Sequence, residues 1–357
     1  ICMLLQGIFP PITTPFYPQG NVYFKKLEAN VERYSKTPVA GIVALGSTGE
    51  AILLSDLERR DVLQTVRDAA TPNKVLIAGT GMESADETLQ LTEYAAKVSY
   101  DVALVRTPHF YRKQMAPANL LAFYRFVADR SPLPVLLYNV PGFTAYDLPV
   151  DLVVELAGHP NIIGIKESGG DVEKVRRMVE GTRSVKRAAT VTETFDAVTP
   201  RMLTAATKGN GELVSISSLS GSRELSKPSS SAVSVVGGLK TRQKEVGFQV
   251  LVGAAQTLEP SLQIGATGAI LGFADPAPTA CYEIYAAWKE GDADLARLKQ
   301  QRIIKAARRI VGELGIPAIK YAMDLNGYYG GQARLPLLPI TADVKEEVER
   351  LLSDIRN

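Results

Sequence analysis

The sequence predicts an α/β protein, a (β/α)8 barrel of the TIM type with a C-terminal helical extension. Three observations carry this. Eight short apolar runs rich in Val, Ile, Leu and Ala punctuate the chain. Helix-periodic segments separate them, and such crossovers are what parallel strands require. Polar and glycine-rich stretches follow the runs directly, at the ends where parallel barrels collect their active sites.

The first run is Gly7-Ile8-Phe9, broken by Pro10-Pro11 before Ile12-Thr13-Thr14. Leu27, Val31 and Tyr34 then share one helix face. The second run, Gly41 to Leu45, ends in Gly46-Ser47-Thr48-Gly49-Glu50. A helix from Leu57 to Ala69 follows, with Ser55 placed as N-cap and Glu58 three residues on as its capping-box partner. Val75 to Ala78 leads into Gly79-Thr80-Gly81 and a helix over Ser84 to Val98. Val102 to Val105 ends in Arg106-Thr107-Pro108-His109-Phe110-Tyr111, before a helix over Ala118 to Ala128. Val135 to Tyr138 runs into Asn139-Val140-Pro141, and Val150 to Ala157 is helical. Ile162 to Ile165 ends in Lys166-Glu167-Ser168, with a helix over Val172 to Val179. The last two runs are Phe248 to Gly253 and Gly268 to Gly272, with a helix near Leu258 to Ile264 between them. Helices over 280–289, 293–311, 319–325 and 344–355 form the extension. The barrel therefore spans 1–275 and the helical block 276–357.

One crossover is anomalous. Roughly 80 residues separate Glu167 from Gly247, about twice what a crossover needs. Over 184–244 the composition shifts to Thr, then Ser, with scattered Gly and Pro, and periodicity lapses except near Phe195 to Leu203. The composition predicts an exposed, largely disordered insertion. Two origins fit it, a regulatory loop or an intron carried into the coding sequence, and the second is slightly favoured because removing the stretch leaves a continuous barrel.

Composition excludes several classes. A net charge of +2 with no long basic run argues against nucleic acid and anionic membrane as partners. No apolar stretch is long enough to span a bilayer. Two cysteines and two histidines make neither a disulfide framework nor a zinc site, which points to a reducing compartment, cytoplasm or mitochondrion, and to a protein without metal or cofactor. The chain starts at Ile1 rather than Met, so an upstream segment, such as a targeting one, is expected. The glycine loop at 46–49 is neither a dinucleotide fingerprint nor a Walker loop.

The chemistry is read at the strand mouths. An ammonium has no use inside a strand buried on both faces, but Lys166 stands at the C-terminal end of one. Apolar walls there favour its free amine, which can attack a ketone and form a Schiff base. Tyr138 ends the preceding strand and can pass protons to and from the adduct. Ser47, Thr48 and their backbone N–H groups, at the start of a loop leading to a helix, make a seat for a carboxylate. Each residue alone has a plainer reading: Lys166 paired with Glu167, Tyr138 with a wet hydroxyl, Ser47 and Thr48 as turn residues, Glu50 as a loop brace, His109 as a structural histidine without an acid partner. Their coincidence on one face points to a 2-oxo acid held by its carboxylate with C2 against Lys166.

These motifs resemble the dihydrodipicolinate synthase / N-acetylneuraminate lyase family of Schiff-base aldolases: Gly46-Ser47-Thr48-Gly49-Glu50, Tyr138-Asn139-Val140-Pro141 and Gly164-Ile165-Lys166-Glu167-Ser168 each match a family pattern. The resemblance covers about 7–183 and 246–340. It implies Lys166 as Schiff-base lysine, Tyr138 as proton relay, Ser47 and Thr48 as carboxylate seat, and a homo-oligomer, tetramer or dimer, acting on a small 2-oxo acid. Within the family the chain looks similar to eukaryotic 4-hydroxy-2-oxoglutarate aldolase, through 78–84, 159–171 and Gly327-Tyr328-Tyr329-Gly330-Gly331. That likeness implies cleavage to pyruvate and glyoxylate, with Ser168 as a substrate contact. Condensation of pyruvate with aspartate semialdehyde, cleavage of a 2-keto-3-deoxy sugar acid, or a silent barrel serving as sensor or scaffold are the alternatives. Two departures bear on subtype. Phe143 stands where a lysine-pathway synthase carries a carboxylate-binding arginine, and Phe110 stands where the family has a relay tyrosine, leaving Tyr111 as its substitute.

Overall fold

The computed structural model describes residues 2–210, 234–236 and 239–355. Eight parallel strands form the barrel: β1 (Gly7–Phe9), β2 (Gly41–Ala44), β3 (Val75–Gly79), β4 (Val102–Arg106), β5 (Val135–Asn139), β6 (Ile162–Glu167), β10 (Gln249–Val252) and β11 (Gly268–Ile270). Their order is β1-β11-β10-β6-β5-β4-β3-β2. Ala40 N–H donates to the Ile8 carbonyl (2.9 Å) and Val43 N–H to that of Pro10 (3.0 Å), which brings β2 round to β1. Pro10 and Pro11 end β1 after three residues because they offer no N–H to a ladder.

Alternation along the strands sorts the apolar side chains into two layers. Phe9, Val43, Ile77, Leu104, Leu136, Ile163, Leu251 and Ile270 fill the barrel interior. Ile8, Ile42, Leu76, Val105, Leu137, Ile165, Val250 and Ala269 face the helices. Those helices are α1 (Phe24–Ser35), α2 (Asp56–Ala69), α3 (Ala85–Lys97), α4 (Pro117–Arg130), the single turn α5 (Pro141–Thr144), α6 (Val150–Ala157), α7 (Val172–Gly181) and α9 (Leu258–Gln263). Ser55 caps α2 as its spacing predicts, accepting from Glu58 N–H (3.2 Å) while Glu58 accepts from Ser55 N–H (2.9 Å). Among the described residues no helix is long and apolar enough to cross a membrane.

The helical block is α10 (Pro278–Lys289), α11 (Ala293–Ala307), a π-helical stretch over Arg308–Leu314, α12 (Ile316–Leu325) and α13 (Ala342–Leu351). The helix expected through 311 thus changes winding after Ala307. A buried ion pair anchors the block to the barrel. Lys320 of α12, wholly buried, meets Glu50 of the β2–α2 loop at 2.6 Å. Its remaining protons go to the carbonyls of Thr14 (2.8 Å) and Gln332 (2.9 Å). Arg334 N–H donates to the other Glu50 oxygen (2.7 Å), and its guanidinium makes a bidentate contact with Glu58. Glu50 braces its loop, as expected.

The 184–244 stretch departs from its expected disorder wherever it is described; 211–233 and 237–238 lie outside the described residues. β7 (Arg187–Thr192), β8 (Ser234–Val236) and β9 (Leu239–Val246) form an antiparallel sheet in the order β7-β9-β8, and α8 covers Pro200–Asn210. Ala189 and Val191 are buried with Met3, Leu4, Leu5 and Val246 in the same cluster as the barrel interior, so this sheet covers the barrel floor. From α8, Arg201 donates to the carbonyls of Ala70 and Thr71 (both 3.4 Å) and of Lys74, and lies 3.8 Å from buried Asp101. The physical reason is that hydroxyl- and charge-rich strands still alternate. In β9 only Thr241 and Val246 are fully buried, too sparse a signal to stand out from Ser/Thr-rich surroundings.

Two outcomes test this frame. Lys320→Met strands a buried Glu50 carboxylate and should lower unfolding free energy in urea by roughly 3–5 kcal/mol, with Glu50→Gln added to it recovering part of the loss. Arg201→Ala should weaken docking of the insertion by about 3 kcal/mol, read as faster amide exchange over 187–192 and 241–246; unchanged protection there would contradict the docking.

Candidate active site

β5 and β6 pair Leu136 with Gly164, although Val135 pairs with Ile162. Ile163 is therefore an extra residue, a bulge. Ile162 faces the helices and Ile163 the interior. Uninterrupted alternation from Ile162 would send Lys166 outward to the helices; the bulge returns it to the barrel interior. There Lys166 is 4% exposed, with its Nζ 4.2 Å from the centroid of the Tyr138 ring, its register partner on β5. Gly164 permits the tight fit: a Cβ there would stand 2.2 Å from the Gln249 carbonyl oxygen.

Glu167, the next residue, points the other way. Its Oε2 accepts from Asn139 Nδ2 (2.8 Å) and lies 3.3 Å from Lys174 Nζ, while Oε1 accepts from Gly169 N–H (2.6 Å). Lys174 and Asn139 also bind Asp147. Glu167 therefore braces the mouth of β5 and β6 and leaves Lys166 alone. Among the described residues no carboxylate lies within ion-pair distance of Lys166, so its plain reading as half of a Lys–Glu pair is set aside.

The Tyr138 hydroxyl meets Ser47 Oγ at 3.2 Å. Ser47 follows Leu45, which adopts a left-handed φ of 59°, and precedes Glu50 at φ 55°. For residues with a Cβ that backbone is costly, and strain of this kind concentrates at ligand-binding turns. Thr48 is half-buried beside Gly272, where a Cβ would come within 3.6 Å of its Oγ1. Ser168 is half-buried against Gly253, where a Cβ would lie 2.0 Å from its Oγ.

A cavity of about 330 Å³ opens over this group, with Ser47, Tyr138, Met82, Leu104, Arg106, Phe143 and Thr144 among its lining. Lys166 lies against the Tyr138 ring rather than in that lining. The structure thus brings Lys166, Tyr138 and Ser47 together and places Thr48 and Ser168 on adjoining loops. Tyr111 is 68% exposed and packs edge-on to Phe110, itself 76% exposed, so within one chain Tyr111 stays on the surface.

Three features escape sequence reasoning. His109 does have an acid partner: Glu83, on the β3–α3 loop, lies 2.8 Å from its Nδ1 and accepts from the backbone N–H groups of His109 and Phe110 (both 2.9 Å). Arg106, the last residue of β4, lies 3.1 Å from the same carboxylate. Asp275, after β11, is fully buried; desolvation pushes its carboxyl well above the usual range, and the charge of Lys166 opposes that shift. None of these links carries a spacing signal, since all join separate loops or strands.

Against known proteins, residues 4–223 and 229–355 match the model of the dihydrodipicolinate synthetase family. A 4-hydroxy-tetrahydrodipicolinate synthase of Methanothrix thermoacetophila is 30% identical over 352 residues, 99% of this chain and 96% of that protein. One of Methanosarcina barkeri is 28% identical, covering 98% of this chain and 99% of that one. A dihydrodipicolinate synthase of Acinetobacter baumannii, solved with pyruvate, superposes with a TM-score of 0.76 at 28% identity, covering 99% of both chains. A dihydrodipicolinate synthase of Bacillus anthracis shares the fold at TM-score 0.77 and 23% identity, over 99% of both chains. These relatives bear out the family and the barrel with its C-terminal helices, but not the narrower likeness to 4-hydroxy-2-oxoglutarate aldolase. With its three motifs converging on one barrel mouth, the chain belongs to the dihydrodipicolinate synthetase family.

Proposed function

We propose that the chain is a Schiff-base enzyme that holds pyruvate, or the pyruvyl end of a larger 2-oxo acid, on Lys166 and makes or breaks the carbon–carbon bond to an aldehyde. The observation that carries this is the placement of Lys166: buried, without a carboxylate partner among the described residues, and against a tyrosine whose hydroxyl meets Ser47.

In the cleavage direction the substrate carboxylate sits at Ser47 and Thr48, and the Lys166 amine attacks C2. The carbinolamine loses water to become an iminium, with Tyr138 giving the proton that leaves with the hydroxyl. Tyr138 oxygen then takes the proton of the C4 hydroxyl as the C3–C4 bond breaks. Its electron pair passes to the iminium, leaving an enamine and a free aldehyde. Protonation at C3 and hydrolysis release pyruvate and the amine. Condensation is the reverse sequence. Ser47 holds Tyr138 in place for both transfers. Exposed Phe110 and Tyr111 suit a subunit interface in a homodimer or tetramer, through which Tyr111 would reach the relay of a neighbouring copy.

Two readings of the aldehyde rest on different observations. The names of the relatives favour condensation of pyruvate with aspartate semialdehyde. Phe143, 67% exposed at the cavity rim, counts against that condensation, because it stands where a lysine-pathway synthase carries its arginine, and leaves cleavage of 4-hydroxy-2-oxoglutarate to pyruvate and glyoxylate as the other reading. Assaying both reactions on the purified chain decides between them. Lys166→Ala should abolish whichever occurs, and full activity in that variant would overturn the mechanism. Tyr138→Phe should lower kcat by about 10²–10⁴-fold, with a smaller effect on KM. Absence of both reactions would leave cleavage of a 2-keto-3-deoxy sugar acid and the silent-barrel reading, which borohydride trapping with pyruvate separates.

A further inference from the structure

Register places three polar residues in one row across adjacent strands. Lys166 pairs with Tyr138, and Tyr138 pairs with Arg106. Val102 and Leu104 of β4 belong to the interior layer and Ala103 and Val105 to the helix-facing layer, so alternation turns Arg106 inward with Tyr138 and Lys166. Arg106 is two strand spacings from Lys166, about 10 Å between backbones. It lines the cavity together with Ser47 and Tyr138. A cation has been put where the rest of β4 is apolar.

The surroundings leave it capacity to bind. The side chain is 17% exposed, and among the described residues only Nη2 has a carboxylate partner, Glu83 at 3.1 Å. Its Nε is buried without a hydrogen-bond partner among those residues. Glu83 shares its single charge with His109 Nδ1 and two backbone N–H groups. That holds the guanidinium in place and leaves the charge only partly compensated. The other acid at the cavity, Glu50, is taken up by Lys320 and Arg334 N–H. The remaining cation, Arg59, donates its Nε to the Ala51 carbonyl (3.1 Å) and also lines the cavity. The cavity's uncommitted charge is positive, on the side opposite the lysine. A planar guanidinium with free N–H groups is matched by a carboxylate.

Resting on the Schiff-base reading above, we propose that Arg106 receives the carboxylate at the far end of the second reactant, so that the enzyme takes aldehydes that carry an acid group. The pyruvyl carboxylate sits at Ser47 and Thr48, C2 is bonded to Lys166, and the distal carboxylate closes on Arg106. Phe143 then packs against the substrate's carbon chain. Strand β4 does the recognition, and the loop after β5 supplies only an apolar wall.

The experiment compares wild type, Arg106→Met and Arg106→Lys on an acid-tailed and a neutral-tailed reactant. The acid-tailed one is 4-hydroxy-2-oxoglutarate in cleavage or aspartate semialdehyde in condensation, whichever the wild type uses. The neutral one is 4-hydroxy-2-oxopentanoate in cleavage or acetaldehyde in condensation. Arg106→Met should raise KM for the acid-tailed reactant by roughly 30-fold or more, the value of a lost charge-assisted contact. For the neutral reactant kcat/KM should change by less than about 3-fold, or about 0.7 kcal/mol. Arg106→Lys, which keeps the charge but not the fork, should fall between. Equal losses on both reactants, or none on either, would overturn the assignment. Borohydride trapping of pyruvate separates this proposal from the one beneath it. Wild type and both variants should trap alike if Lys166 forms the adduct. Failure of the wild type to trap removes the Schiff-base reading itself and this inference with it. Should Arg106→Met lose its cooperative melt, the Lys variant and inhibition of wild type by succinate against butyrate carry the same comparison, with succinate expected to bind the tighter and equal inhibition counting against Arg106.

Discussion

Lys166 enters the barrel because β6 carries one residue more than the stretch of β5 opposite it, and the mouth is arranged around that shift. Strand alternation is unforgiving: if Ile162 to Glu167 alternated without the irregularity at Ile163, the lysine would join the helix-facing layer and Glu167 would enter the interior. With it, adjacent residues take opposite duties. Lys166 lies against Tyr138, and Glu167 ties β5, β6 and α7 together through Asn139 and Lys174. A buried amine is thereby separated from the acid next to it in sequence by the strand itself.

Holding that arrangement demands rigidity at the neighbouring strand ends, and polar groups supply it in buried, satisfied pairs. Glu50 and Lys320 join the loop after β2 to α12, with carbonyls of Thr14 and Gln332 completing the lysine's contacts. The loop that presents Ser47 to Tyr138 is thus fixed by the C-terminal helices. Below, the sheet formed by β7, β8 and β9 covers the barrel floor around Ala189 and Val191. The proposed chemistry occupies the mouth, and the floor and the helical block supply packing, which fits the division of labour in such barrels.

Much of this could be read from local patterns. Eight apolar runs, the Ser55–Glu58 cap and the lysine after a buried strand all lie within a few residues, where periodicity and capping chemistry act. Lys166 and Tyr138 could be placed together because sequential parallel strands are neighbours, and Ser47 joined them because β2 opens at the same barrel mouth. What escaped depends on contacts between distant segments. Glu83 reaches His109 and Arg106 across loops, Lys320 finds Glu50 from the far end of the chain, and a bulge has no composition of its own. The floor-covering strands were hidden differently: their hydroxyl-rich alternation resembles the composition of disordered chain, and only their burial against Met3, Leu4 and Leu5 distinguishes them. Tyr111 illustrates a further limit, since its ring is exposed and the role proposed for it depends on another copy.

The most direct test of the central claim is to incubate the purified chain with pyruvate, reduce it with borohydride, and map the modified peptide by mass spectrometry. The account predicts one reduced pyruvyl adduct, carried by Lys166 and absent from Lys166→Ala. An adduct on any other lysine, or none at all from a folded protein, would contradict it.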